Sequence, residues 1–347
     1  METIPVPSCP VCGATGTLLY RGLRDALFGT QGLWTYRSCS TPCGTVWLDP
    51  IPRDLTRSYE FYHTHLDPPA PERRSAAQLL RALYRPIKHG YLQAQYGYRH
   101  NVGPKWWRIL APLAFLHPAG VDAIAGDAMF LAARGKGARL LEIGSGSGAL
   151  LEKMRTQGWV VAGIEFDPAC VAKAQAQGLT CYGSDVRDLG LTDKSFDAIY
   201  MGHVMEHLKE PRTLLLECHR LLASGGELVI VTPNAGGWGH RHYKRFWRGL
   251  ETPRHLQLFT PRGLQQLTAS TGFEVTQMRT TNRSAWYALG MSAAMRNVGK
   301  KATHNATMLS MISVRALVFE IFGRLLVLFR PELGEEIVLT ARKNADH

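Results

Sequence analysis

The run Leu140-Leu-Glu142-Ile-Gly144-Ser145-Gly146-Ser-Gly148 constrains this chain more than any other segment. An apolar stretch stops at three alternating glycines, and a helical pattern, Ala149–Gln157, follows at once. Glycine adopts the positive φ of a tight strand-to-helix turn, and the new helix offers free N–H groups to a ligand. From Arg139 onward, strand-like runs alternate with helical ones. Strands are expected at Arg139–Ile143, Trp159–Glu165, Leu179–Tyr182, Phe196–Met201, Glu227–Val231, Phe273–Met278 and Glu336–Ala341. Helices are expected between them at Ala149–Gln157, Ala169–Gln177, Pro211–Leu222 and Pro261–Thr271. The alternation predicts a doubly wound α/β fold, with helices on both faces of a mostly parallel sheet. Ligands of such sheets bind beyond the carboxyl ends of the strands.

Two acids stand at those ends. Glu165, followed by Phe166, closes the second strand, where a carboxylate can accept from the hydroxyls of a ribose. Asp185 follows the third strand, with Val186 beside it to meet an adenine ring. The glycine turn alone is shared with dinucleotide-binding folds, but its spacing here is G-x-G-x-G, not G-x-G-x-x-G. The ordered set resembles the class I S-adenosylmethionine (SAM)-dependent methyltransferases over about residues 138–280 and the last strand. Ser195–Leu208, after the fourth strand, and Leu221-Leu-Ala-Ser-Gly225-Gly226, before the fifth, resemble the same family. The resemblance implies a Rossmann-like, seven-stranded sheet with an antiparallel last strand, and SAM as cofactor. It implies that Gly144, Ser145, Gly146, Gly148 and Gly202 line the cofactor, and that Glu142 faces its ammonium group.

Methyl transfer from a sulfonium is an in-line displacement, so the protein mainly aligns the nucleophile; an oxygen nucleophile also needs its proton removed. His203, Glu206 and His207 follow the fourth strand. On a helix these i, i+3 and i+4 positions share a face, able to supply a base or to bind a divalent metal. Some quinone-biosynthesis O-methyltransferases resemble this segment but carry an acid where His203 stands. After the fifth strand, Trp238–Arg248 reads as a basic, aromatic loop suited to an acceptor bearing phosphate or carboxylate. Pro253-Arg254-His255-Leu-Gln-Leu-Phe259-Thr260 resembles a bacterial subgroup of mostly small-molecule type. His203, His255 and His207 are the base candidates.

Cys9-Pro-Val-Cys12-Gly13 and Cys39-Ser-Thr-Pro-Cys43-Gly44 form two knuckles with 26 residues between Cys12 and Cys39. Cys9, Cys12, Cys39 and Cys43 therefore predict a closed, structural zinc site. Cys170, Cys181 and Cys218 read as small core residues. The expected organisation is a zinc-binding ribbon at 1–50, an irregular and helical lid region at 51–135, and the core at 136–347, with a helical insertion at about 283–334.

The net charge is +12, divided as +6 over residues 1–110, +2 over 111–280 and +4 over 281–347. A basic flank can meet nucleic acid, a phosphate-bearing acceptor or a membrane surface, but is not specific among them. Met311–Phe329 is apolar yet holds Arg315, Glu320 and Arg324, which argues for a buried or surface-lying helix over a membrane span. Met1–Pro10 lacks the pattern of a signal peptide, so a cytoplasmic protein is expected. The leading reading is methylation of an oxygen, or a carbon, of a small-molecule acceptor: a sugar, a quinone-like or polyketide-like ring, or a lipid- or nucleotide-linked intermediate. Some sugar C-methyltransferases also pair an N-terminal Cys₄ unit with this fold. The alternative is an RNA methyltransferase that uses the zinc module and basic flanks; a Pro-Pro-Tyr-type motif is absent after the fourth strand. A third class is a SAM- or zinc-binding regulatory module without turnover. Oligomeric state is not legible.

Overall fold

The computed structural model describes residues 2–55, 76–116, 120–283, 285–298, 318, 321–323 and 325–344. Packing divides the chain into two units, residues 1–62 with 201–347, and residues 63–200. The N-terminal strands are β1 (Thr3–Ile4), β2 (Gly16–Leu23), β3 (Trp34–Cys39), β4 (Val46–Leu48) and β5 (Ile51–Pro52). They are followed by β6 (Arg139–Ile143), β7 (Val160–Ile164), β8 (Thr180–Tyr182), β9 (Phe196–Gly202), β10 (Leu222–Pro233), β11 (Gln257–Leu258), β12 (Phe273–Thr281) and β13 (Glu336–Lys343).

One seven-stranded sheet has the order β12-β13-β10-β9-β6-β7-β8. The β6–β7 and β7–β8 ladders are parallel, and β13 runs antiparallel to both β10 and β12. This is the expected doubly wound sheet with a reversed last strand. Strand β6 is exposed only at Arg139 and buried from Leu140 to Ile143, as a strand covered on both faces must be. The connecting helices start on local signals. Asp167 accepts from Ala169 N–H at 2.8 Å to cap the helix Pro168–Ala176, and Thr260 accepts from Gly263 N–H at 3.1 Å to cap Pro261–Ala269. Proline at the first helical position suits both, since its missing N–H would be unsatisfied there anyway.

Strand β10 is longer than expected, running back to Leu222 through Gly225-Gly226. The helix expected to begin at Ala76 extends to Gln95, past Pro86. Lys105–Leu116 forms 3₁₀ turns. Two expectations need correction. Residues 203–207 do not start an α-helix: Met205–His207 is a 3₁₀ turn, and His203 has a φ of 57°. The segment after β10 is not an open loop. It folds as a short helix, Trp238–Tyr243, and two 3₁₀ turns, Lys244–Phe246 and Arg248–Leu250. Of its Lys/Arg, Arg248 is buried, as is Arg254 just beyond. Most of the expected helix at Met311–Phe329 lies outside the described residues; 321–323 and 325–329 are helical.

In the N-terminal region a second sheet has the order β11-β4-β3-β2. Its outer strand, Gln257–Leu258, comes from beyond β10 and pairs antiparallel with Trp47 and Val46. A shared core joins Trp34, Tyr36, Val46 and Leu48 of this sheet to Tyr243, Trp247, Leu250, Leu256 and Leu289.

Candidate functional site

In the 63–200 unit, the glycine turn leaves β6 and is tied to the end of β7. The N–H groups of Gly144 and Ser145 both donate to Ile164 C=O, at 2.8 and 3.0 Å. Gly144, Gly146 and Gly148 have φ values of 78°, 53° and 82°. A Cβ on Gly148 would lie 2.5 Å from Leu179 Cδ1, so a larger residue is excluded by space and by backbone. Glu165 accepts three backbone N–H groups: Gly146 at 2.8 Å, Phe166 at 2.7 Å and Asp167 at 3.0 Å. Its carboxylate thereby holds the glycine turn itself. Asp185 caps the turn Val186–Asp188 through Arg187 N–H and forms an ion pair with the Arg187 guanidinium, at 2.6 Å. The Val186 side chain is buried and Phe166 is exposed.

Glu142 is buried, and its Oε2 has no hydrogen-bond partner. Burial, and then the charge of Glu165, push its carboxyl well above the usual carboxylate range. A buried carboxyl with an unsatisfied oxygen calls for a cation or a water beside it. That fits the ammonium of SAM. Glu142, the glycines, Glu165 and Asp185 all stand at the carboxyl ends of three adjacent parallel strands of this unit. Gly202 ends β9 in the other unit.

The three candidate histidines meet in that other unit, in a cavity of about 300 Å³. His203 lies between two buried acids, with Nδ1 3.3 Å from Glu206 and Nε2 3.1 Å from Glu336. Burial of its inner edge opposes a charge, but the two carboxylates outweigh this and raise its pKa to about 10. Glu206 is fully buried; burial opposes its charge too, yet the His203 contact brings it down to about 2. Its Oε2 accepts from Thr232 Oγ1 at 2.9 Å.

His207 and His255 share a different arrangement. His207 Nδ1 is 3.1 Å from Arg254 C=O, and His255 Nδ1 is 2.7 Å from Gly249 C=O. A carbonyl only accepts, so each Nδ1 carries the proton and each neutral ring keeps its lone pair on Nε2. The rings meet edge to face with centroids 4.7 Å apart. Burial holds His255 down to about 4. One donor atom from each of Glu206, His207 and His255 lies within 4.8 Å of the other two.

The cavity also takes in Glu251, Arg283, Tyr287, Glu335 and Glu336, which sequence reasoning missed. Glu335 is held near 7, raised by burial against hydrogen bonds from Gly239 N–H and Trp247 Nε1. Two consecutive acids entering the otherwise apolar strand Ile337–Leu339 were the available signal. The cavity's cations are matched: Arg248 pairs with Glu251, and Arg283 with Glu336 at 3.3 Å.

At the N-terminus, Cys12 Sγ lies 3.5 Å from Cys39 and 3.6 Å from Cys43, and Cys9 lies 3.6 Å from Cys43. Four sulfurs about 2.3 Å from a central zinc would be about 3.8 Å apart, so the set fits the ion with little movement. Cys170, Cys181 and Cys218 are buried apart from it, as core residues. Among the described residues no helix is long and apolar enough to cross a membrane.

Comparison with known proteins agrees with this geometry. Residues 120–278 match the model of the methyltransferase-domain family. A ubiquinone biosynthesis O-methyltransferase of Xanthomonas oryzae pv. oryzae (strain PXO99A) is 33% identical over 140 residues, which cover 38% of this chain and 56% of that one. The enzyme of the same name from Xylella fastidiosa (strain M23) is 29% identical over 161 residues, 44% of this chain and 63% of its own. The chain thus spans just over half the length of these curated relatives. A solved structure of Haemonchus contortus phosphoethanolamine N-methyltransferase 2 with SAM is similar over 90% of this chain and 63% of its own, at 16% identity and a TM-score of 0.46. Through the domain at 120–278, this chain belongs to the class I SAM-dependent methyltransferases.

Proposed function

We propose that this chain transfers the methyl group of SAM to a ring hydroxyl of a small, quinone-type acceptor, in the cytoplasm, where its thiols stay reduced. The observation that carries the reading is the pair of imidazoles, His207 and His255, whose Nδ1 protons are fixed on backbone carbonyls beside the ionised Glu206. A hydroxyl of high pKa needs such a base, and the names of the relatives point to a ring oxygen.

Bound SAM supplies an electrophilic methyl on a sulfonium. Glu142 would face its ammonium, and Glu165 a ribose hydroxyl. Asp185 with Val186 and Phe166 would hold the adenine, the glycine turn would pass along the chain between, and Gly202 would close the site from the fourth strand. In the cavity, His207 Nε2 takes the acceptor's proton as the oxygen attacks. His255, held neutral by burial, packs against it. His203 has lost the role of base: clamped by Glu206 and Glu336, it carries a proton over the ordinary pH range and anchors both acids. Because Arg248 and Arg283 are paired with acids inside the cavity, a neutral or singly charged acceptor suits it better than a phosphate. The four N-terminal cysteines would hold one structural zinc ion.

The test uses methyl-labelled SAM, the purified chain and an extract of the source cells. Label in an organic-soluble product, attached as an aryl ether, is the expected result; label in RNA would overturn it. His207→Gln should cut turnover about 10²- to 10⁴-fold and leave SAM affinity alone. A second reading is favoured by the 4.8 Å grouping: Glu206, His207 and His255 would hold a divalent cation, and turnover would then be lost to a chelator and restored by the metal.

A further inference from the structure

The N-terminal hairpin sends one side chain into the surroundings of the candidate base. Asp25 lies in the loop between β2 and β3, its carboxylate almost fully buried. It accepts the N–H groups of Leu27 at 3.0 Å, Phe28 at 3.0 Å and Thr30 at 3.1 Å, which fixes the loop around it. It also takes a two-pronged contact from Arg254, Nη1 to Oδ2 at 2.9 Å and Nη2 to Oδ1 at 3.1 Å. The Arg254 guanidinium, fully buried, lies 4.2 Å above the Phe28 ring and donates through Nε to Glu251 at 3.2 Å.

The main chain of Arg254 is part of the site. Its carbonyl is the acceptor that fixes the His207 tautomer, and its N–H donates to Glu251 C=O at 2.8 Å. Glu251 in turn reaches His255 Nε2 at 3.5 Å and has a φ of 33°. A non-glycine residue with such a φ is strained and persists only where its surroundings hold it. The Arg254 fork supplies that hold. Buried charges are a poor way to stabilise a fold, since apolar residues of similar volume often do as well or better. A planar, bidentate pair, by contrast, fixes direction.

We propose that Asp25 is a positioning residue for the acceptor site: through Arg254 it sets the peptide whose carbonyl holds the proton of His207 on Nδ1. The inference rests on the reading of His207 as the base, and the two can fail separately.

The experiment is nitrogen-15 NMR of histidine-labelled full-length protein, with His207 assigned by its loss in His207→Gln. In the wild type, neutral His207 is expected with Nδ1 protonated and Nε2 bare. In Asp25→Asn, the other tautomer should rise at least about threefold, and turnover should fall about 10- to 100-fold with SAM affinity within about twofold. A folded, zinc-loaded Asp25→Asn protein with the wild-type tautomer and wild-type turnover would overturn the proposal. Asp25→Glu, which keeps the charge and misplaces it, gives the same readings if Asp25→Asn does not fold. Full turnover in His207→Gln would remove the base reading instead, whatever the tautomer of Asp25→Asn.

Discussion

Replacing Glu165 by glutamine tests the cofactor site most directly, and the structure sets the size of the effect. A carboxylate has about four acceptor positions. Three are taken by the N–H groups of Gly146, Phe166 and Asp167, which leaves room for about one ribose hydroxyl. A hydrogen bond to a charged group contributes about 1.5–3 kcal/mol. At about 1.4 kcal/mol per factor of ten, its loss weakens SAM binding roughly 10- to 150-fold. Glutamine keeps a carbonyl for Phe166 and Asp167, but its amide would turn a donor toward the N–H of Gly146. Two donors facing each other loosen the glycine turn, so the upper half of that range is expected. Isothermal calorimetry with SAM at neutral pH gives the number. A dissociation constant within about twofold of wild type, in a protein with an unchanged melting curve, would refute both the ribose assignment and the count of acceptor positions.

Two further predictions concern the other unit. The ion pair of Glu206 and His203 should make stability depend on pH from both sides. Glu206 titrates near 2 when folded against its ordinary 4.5, so its contribution is complete above 4.5 and is lost as pH falls toward 2. His203 titrates near 10 against 6.5, so its contribution is complete below 6.5 and is lost as pH rises toward 10. Melting curves of wild type and Glu206→Gln should therefore differ most between pH 4.5 and 6.5; a constant difference across pH 3–9 would contradict the pairing. Elemental analysis should find about one zinc per chain, and Cys43→Ser should lose both the metal and the near-ultraviolet signal of Trp34 and Trp47; a metal-free chain with wild-type spectra would refute the Cys₄ assignment.

The cofactor half was legible because its signals are local. Gly144, Gly146 and Gly148 mark a turn by their own backbone needs, and Glu165 bonds to residues one, two and nineteen positions away. The acceptor half was legible only in part. His203, His207 and His255 were correctly suspected of sharing a site, but their roles depend on partners far along the chain. Glu336 reaches His203 across 133 residues, and Asp25 reaches Arg254 across 229. No period or spacing announces such a pair. The i, i+3, i+4 pattern at 203–207 also misled: it matches a helical face, while the chain makes a positive-φ step and a 3₁₀ turn that turns His203 toward Glu336 and His207 toward Arg254. Arg248 and Arg254 read as solvated charges for the same reason, since the acids that neutralise them include one from the first 25 residues.

This contrast decides what kind of element the ribbon is. A nucleic-acid-binding appendage would keep its own sheet and core and present its charges outward. Here the ribbon sheet is completed by Gln257–Leu258. Tyr36, fully buried, sends its hydroxyl to Leu250 C=O at 2.7 Å and lies 2.8 Å from His255 C=O. Thr260 donates to Cys43 C=O at 2.5 Å, so the second cysteine knuckle also supports the helix that follows the acceptor segment. The segment from β10 to that helix is thus built on the ribbon, at a strand, a tyrosine, an ion pair and a knuckle. Transplanted without the ribbon into another methyltransferase core, it would leave Arg254 buried and unpaired, at a cost of about 3–5 kcal/mol, and His207 without a fixed carbonyl. The acceptor loop and the zinc module must therefore be treated as one acceptor-binding element, and a change of acceptor should be sought in both.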